Sequence, residues 1–95
     1  KREIDQVARW GGEEFLILLP ETDLNGAVLH GNKIRELISE KSITHEGQEI
    51  QVTMSFGASE YNDGSTQIEK TIDLADRRLY LAKESGRNKV VSEGT

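Results

Sequence analysis

With 95 residues the chain forms at most one domain, near the lower end of what closes a self-sufficient core, and its hydrophobic content of 35% is low for that task. A net charge of −5 and only 5% aromatic residues argue against a nucleic-acid-binding module, which needs a basic face with stacking rings, and no apolar run is long enough to cross a membrane. The absence of cysteine excludes disulfides, zinc thiolate sites and thiol catalysis, and fits a reducing compartment such as the cytoplasm.

The chain enters a patterned segment at once, at Lys1-Arg2-Glu3-Ile4-Asp5, and so reads as a portion of a longer protein. Ile4, Val7 and Trp10 predict a short strand leading into the turn at Gly11-Gly12. The continuous apolar run over residues 15–19 has the length of a central strand, and the two should pair as a hairpin. Pro20 stops that strand, and Thr22 or Asp23 can cap the helix that follows. From Leu24, the positions Ala27, Val28, Ile34, Leu37 and Ile38 recur at helical spacing and place one face against a sheet. Gly26 and Gly31 each lower the propensity of this helix by about 1 kcal/mol, so packing must hold it.

Residues 42–46 and 49–59, separated at Gly47-Gln48, predict a second hairpin whose second arm turns Ile50, Val52, Met54 and Phe56 inward. Gly57 marks a bulge or a close backbone approach. After a loop at 62–65, the residues Ile68, Ile72, Leu74, Ala75, Leu79 and Ala82 carry a helical period that Gly86 ends, and 89–91 form a last short strand. There are no repeats, low-complexity tracts or linkers, so a single α/β unit is expected.

The unusual stretch is Gly11-Gly12-Glu13-Glu14-Phe15, in which two glycines and two carboxylates stand at the mouth of an apolar strand. Two glycines leave a turn without a side-chain wall, so a phosphate or nucleobase can approach the backbone. Adjacent carboxylates supply the hard oxygens that Mg²⁺ prefers, and on an extended segment their side chains diverge into different roles. Read alone, the same residues are also compatible with an acidic hairpin. Lys83 and Arg87, four apart near a helix end, suit the helix dipole whether or not they hold an anion. Arg2 and Asp5 are likewise compatible with a local ion pair. His30 and His45 have no partner at metal-ligand spacing and are expected at the surface or a helix edge. Asp73 and Asp76 read as a solvated helix face, and Trp10 and Tyr80 as packing residues. No Ser-His-Asp, Walker or dinucleotide signature is present.

Taken together, these segments resemble the GGDEF domains of bacterial diguanylate cyclases. Arg2-Glu3-Ile4-Asp5 matches the family's R-x-x-D at its usual separation from the G-G-D/E-E-F hairpin, here Gly11-Gly12-Glu13-Glu14-Phe15. Pro20-Glu21-Thr22 follows the strand, and Val52-Thr53-Met54-Ser55-Phe56-Gly57 is similar to V-T-x-S-x-G. The run from Ala75-Asp76 through Leu79-Tyr80, Ala82-Lys83 and Gly86-Arg87-Asn88 is similar to A-D-x-x-L-Y-x-A-K-x-x-G-R-N.

The resemblance implies an α+β fold: a central, mostly antiparallel sheet flanked by helices, ferredoxin-like and related to the palm of polymerases and nucleotide cyclases. It implies condensation of two GTP molecules to cyclic di-GMP and pyrophosphate, with two Mg²⁺ per active site and two domains face to face as a homodimer. Glu13 would be catalytic and a metal ligand, and Glu14 a metal ligand or its support. Gly11, Gly12, Lys83 and Arg87 would bind substrate, and Arg2 and Asp5 would form the product-inhibition site. Lys33 stands where arginine is usual in the second half of that inhibitory site. The family's preceding strand, with its metal-binding aspartate, and its guanine-reading residues match nothing in these 95 residues, which places residues 1–95 as a domain incomplete at its N-terminus. The alternatives are a domain without turnover that senses cyclic di-GMP through Arg2 and Asp5, or a dimerisation module. The intact Glu13-Glu14 pair favours the enzyme.

Overall fold

The computed structural model describes residues 6–11, 14–61 and 67–94. In chain order these form β1 (Gln6–Gly11), β2 (Glu14–Leu18), α1 (Leu24–Ser39), β3 (Ser42–His45), β4 (Gln48–Gln51), β5 (Phe56–Gly57), α2 (Ile68–Glu84) and β6 (Val90–Val91). The α+β class expected from the sequence is borne out. Among the described residues the strands form three separate two-stranded ladders: β1 with β2 and β3 with β4 antiparallel, β5 with β6 parallel.

The first ladder pairs Gln6 with Leu18 at one end and Arg9 with Phe15 towards the other, and then shifts so that Gly11 opposes Glu14. Trp10 is therefore the extra residue of a bulge, which twists the strand pair where it approaches the two glycines. The central position expected for residues 15–19 is not seen. β2 ends at Leu18 and, among the described residues, pairs only with β1. Phe15 and Leu18 remain 57% and 42% exposed, so apolar surface on this strand stays uncovered by the described residues.

Helix α1 starts where its cap dictates. Asp23 is extended, and its carboxylate accepts a hydrogen bond from Gly26 N at 2.8 Å, while Leu24 N donates to Glu60 Oε1 at 3.0 Å. Thr22 does not share the capping role; its hydroxyl donates to the carbonyl of Pro20. Gly31 is the one buried residue of α1. A Cβ there would stand 3.2 Å from Val90 Cγ2 and 3.6 Å from the Phe56 ring, so the glycine that weakens the helix is also what lets it lie close to β5 and β6.

The second hairpin turns at Glu46-Gly47, both with positive φ (52° and 80°), and closes with His45 opposite Gln48. The long second arm expected over 49–59 is corrected. β4 ends at Gln51, residues 52–55 carry no regular pairing, and the chain re-enters a ladder at Phe56 alongside β6. The partner sets this limit: β3 begins at Ser42, opposite Gln51, so nothing remains in β3 for Val52 to pair with. Ile50 and Val52, expected inward, are 41% and 38% exposed, whereas Met54 and Phe56 are half-buried.

Between β5 and β6 the chain crosses over through α2, as parallel strands require. Phe56 N and Ala58 N donate to the carbonyls of Lys89 and Val91, each at 2.9 Å. The close approach suspected at Gly57 is real: an added Cβ would meet Ala75 O at 2.0 Å and Leu79 N at 2.2 Å, so α2 rides directly on this glycine's backbone. Ala82, on the same helix, is fully buried. Gly86 ends α2 as expected. With Ser85 as C-cap and Gly86 at φ 125°, Arg87 N donates back to Ala82 O at 2.8 Å, the Schellman pattern.

Candidate functional site

The ends of β2 and α2 meet. Glu14, the first residue of β2, and Lys83, in the last turn of α2, form an ion pair at 3.7 Å between Oε2 and Nζ, both side chains about one-third exposed (38% and 35%). As a half-exposed pair it contributes at most ~1 kcal/mol to folding. Its value lies in placement: the second carboxylate of the glycine-rich hairpin and the cation of Ala82-Lys83 occupy one place on the surface.

Arg87 follows on the same end of α2. Its side chain is exposed and makes no hydrogen bond or ion pair among the described residues, and its backbone is left-handed at φ 65°. A lysine and an arginine at the close of one helix, beside a carboxylate, can hold an anion together with a cation that a carboxylate also ligates. Gly11 closes β1 opposite Glu14. Gly12 and Glu13, and also Arg2 and Asp5, lie outside the described residues.

The fit to Mg²⁺ can be judged on the donor set. Glu14 offers one hard carboxylate at the right place, and among the described residues no three His, Cys, Asp or Glu side chains converge. Glu14 therefore suits one ligand position of a hard cation, and further oxygens have to come from beyond the described residues.

Tyr80 is not a packing residue; it is 62% exposed. Asp73 and Asp76 lie exposed on α2 as expected, and His45 is exposed beside Glu46 at 3.7 Å. His30 is half-buried and lines an open, mainly apolar groove of about 650 Å³ that separates β2 from β5 and α2. Glu14, Phe56, Ile72 and Leu79 also line it.

Sequence reading missed Arg35. Its side chain is only 20% exposed and spans from α1 to the loop after α2, with Nε donating to Asn32 Oδ1 at 3.0 Å and Nη1 to Asn88 Oδ1 at 3.2 Å. Nothing in the spacing of α1 marks it, because its partner is 53 residues away.

The sequence profile described as "Diguanylate cyclase, GGDEF domain" matches residues 1–89. Diguanylate cyclase A of Treponema denticola is 40% identical over 89 residues, 94% of this chain but 24% of that protein. The crystal structure of the diguanylate cyclase SiaD of Pseudomonas aeruginosa, in complex with its activator SiaC, superposes with a TM-score of 0.85 at 39% identity over 98% of this chain and 35% of SiaD. The GGDEF domain of DgcB from Caulobacter crescentus, solved with c-di-GMP, superposes with a TM-score of 0.82 at 28% identity over 93% of this chain and 51% of that one. The chain thus spans about a quarter of the curated relative and between one-third and one-half of the solved chains. With a family match over nearly its whole length and the hairpin carboxylate and helix-end lysine brought together, the chain belongs to the GGDEF domain family of diguanylate cyclases.

Proposed function

We propose that the protein carrying this chain condenses two GTP molecules into cyclic di-GMP and pyrophosphate, and that residues 1–95 form part of its cyclase domain. The observation that carries the reading is the 3.7 Å approach of Lys83 to Glu14, since it joins the two separate motifs that a metal-bound triphosphate needs at one site. In this reading Lys83 and Arg87 neutralise and orient the triphosphate, while Gly11 and Gly12 leave room for nucleoside and phosphate to lie against the backbone. Glu13 and Glu14 hold Mg²⁺, which when bound supplies charge neutralisation and an acidified 3′-hydroxyl. Glu13 accepts the proton that the attacking hydroxyl gives up. Each domain presents one GTP, so the reaction takes place between two such domains.

Glu13 and Glu14 together do not complete two six-coordinate Mg²⁺ sites, so a further carboxylate is needed. The groove between β2 and β5 is bounded by a strand on each side that is paired on one edge only among the described residues, and it is apolar enough to accept another strand carrying that group. Arg2 and Asp5 form the site at which the product inhibits, through arginine's bidentate fork. A receptor without turnover is the second reading; the retained Glu13-Glu14 pair disfavours it.

The deciding experiment is cyclic di-GMP synthesis from GTP and Mg²⁺ by the full-length protein, compared with its Glu13→Gln variant. Loss of a metal ligand that is also the proton acceptor should lower kcat by at least ~10²-fold with the fold retained. Near-normal synthesis by Glu13→Gln would sink the assignment. Absence of synthesis by the parent, with cyclic di-GMP still bound, would favour the receptor.

A further inference from the structure

The loop that follows α2 is held in a conformation its residues do not prefer. After Gly86 at φ 125°, Arg87 and Asn88 are both left-handed, at 65° and 53°. Glycine takes such angles freely and asparagine tolerates them, but arginine does so only when its surroundings compel it. Three contacts compel it here. Arg87 N donates to Ala82 O at 2.8 Å, Asn88 N donates to Ser55 Oγ at 2.9 Å, and Asn88 Oδ1 accepts from Arg35 Nη1 at 3.2 Å. Arg35 is itself fixed, since Nε donates to Asn32 Oδ1 at 3.0 Å and Nη2 lies 3.5 Å from Glu36 Oε2. One end of the guanidinium is thus anchored on α1 while the other reaches the loop.

We propose that Arg35 and Asn88 are positioning residues that, with Ser55, clamp the loop so that Arg87 is presented to the triphosphate in a pre-set direction. Arg35 does not touch the substrate in this arrangement; it acts through Asn88 on the backbone of Arg87. Because the Arg87 side chain is exposed and makes no hydrogen bond or ion pair among the described residues, only this backbone sets the direction in which it leaves the loop. Without the clamp the two left-handed residues relax towards ordinary angles, and the Arg87 side chain leaves the loop in another direction. A polar network of this kind rigidifies only when all its members are satisfied, so removal of either partner should release the loop. The proposal rests on the reading of Arg87 as a triphosphate ligand.

The test uses full-length protein and 3′-deoxy-GTP, which lacks the attacking hydroxyl and so reports binding without turnover. Calorimetric affinities are measured for Arg35→Ala, Asn88→Ala and Arg87→Ala, and for each of the first two combined with Arg87→Ala. KM and kcat for GTP are measured alongside. Arg35→Ala and Asn88→Ala should each weaken binding about tenfold, with the loss in KM more than in kcat, and neither should weaken it further once Arg87 is gone. Asn88 is exposed, so its variant retains the fold and carries the test even if Arg35→Ala proves unstable. If Arg87→Ala weakens binding while Asn88→Ala does not, or if Asn88→Ala weakens it equally with and without Arg87, the clamp is wrong and the role of Arg87 stands. If Arg87→Ala binds as tightly as the parent, the assignment of Arg87 fails and the clamp fails with it.

Discussion

Replacing Gly57 by alanine should be among the most damaging single-methyl additions to this fold. The new Cβ would stand 2.0 Å from Ala75 O, 2.2 Å from Leu79 N and 2.9 Å from the carbonyl carbon of Arg78, all of them backbone atoms of α2 that no rotamer change can move. To restore even 3.4 Å, the near edge of ordinary contact, the helix must retreat from β5 by about 1.4 Å at Ala75. That retreat loosens the packing of Leu79 and of the fully buried Ala82. Overpacking usually costs about 1–3 kcal/mol, and with rigid backbone on both sides the upper end, ~3 kcal/mol, is expected. Against a typical total of about 5–15 kcal/mol, this is a large fraction. The consequence reaches the site, because Lys83 rides on the same helix and its 3.7 Å approach to Glu14 depends on where α2 lies. The assay is urea unfolding of the domain, with Gly47→Ala as the control. Gly47 has φ +80° and nothing within 4 Å, so its variant carries only the dihedral penalty of about 1 kcal/mol. A Gly57→Ala variant no less stable than Gly47→Ala would refute the described approach of α2 to β5.

Removing the cap of α1 by Asp23→Ala should destabilise the domain by about 1 kcal/mol, since Gly26 N loses its acceptor; an unchanged urea midpoint would show that the cap is not formed in solution. Under the proposed function, Arg2→Ala with Asp5→Ala should relieve inhibition by cyclic di-GMP without loss of turnover. Calorimetry on that double variant checks it, and product binding as tight as the parent's would leave Arg2 and Asp5 as a local ion pair.

Much of the fold was legible because its signals are local. A carboxylate three residues ahead of a free backbone donor starts α1 at Asp23, and Gly86 with its neighbours ends α2 in a Schellman turn; both need only the residues of one helical turn. The candidate site was legible for a different reason. Glu14 and Lys83 were singled out through motifs of a known family, and the structure brings these two together, while Gly12, Glu13, Arg2 and Asp5 fall outside the described residues. Tyr80 shows the limit of residue type alone: an aromatic ring on a helix suggests packing, but only the fold decides whether anything covers it.

The sequence by itself determined the two helices with their ends, the first hairpin and the residue types at the site, because hydrophobic period, capping chemistry and glycine's backbone freedom act within a few residues. Tertiary structure alone decided which strands pair. The alternation over residues 49–59 looks the same whichever partner a strand takes, yet the chain leaves β4 at Gln51 and joins β6 in parallel at Phe56, because β3 has run out and α2 carries Val90 back alongside. It also decided that Arg35 reaches Asn88, a contact 53 residues apart that no local pattern encodes, since a side chain's partner across the fold exists only once α1 and α2 have both packed against β6.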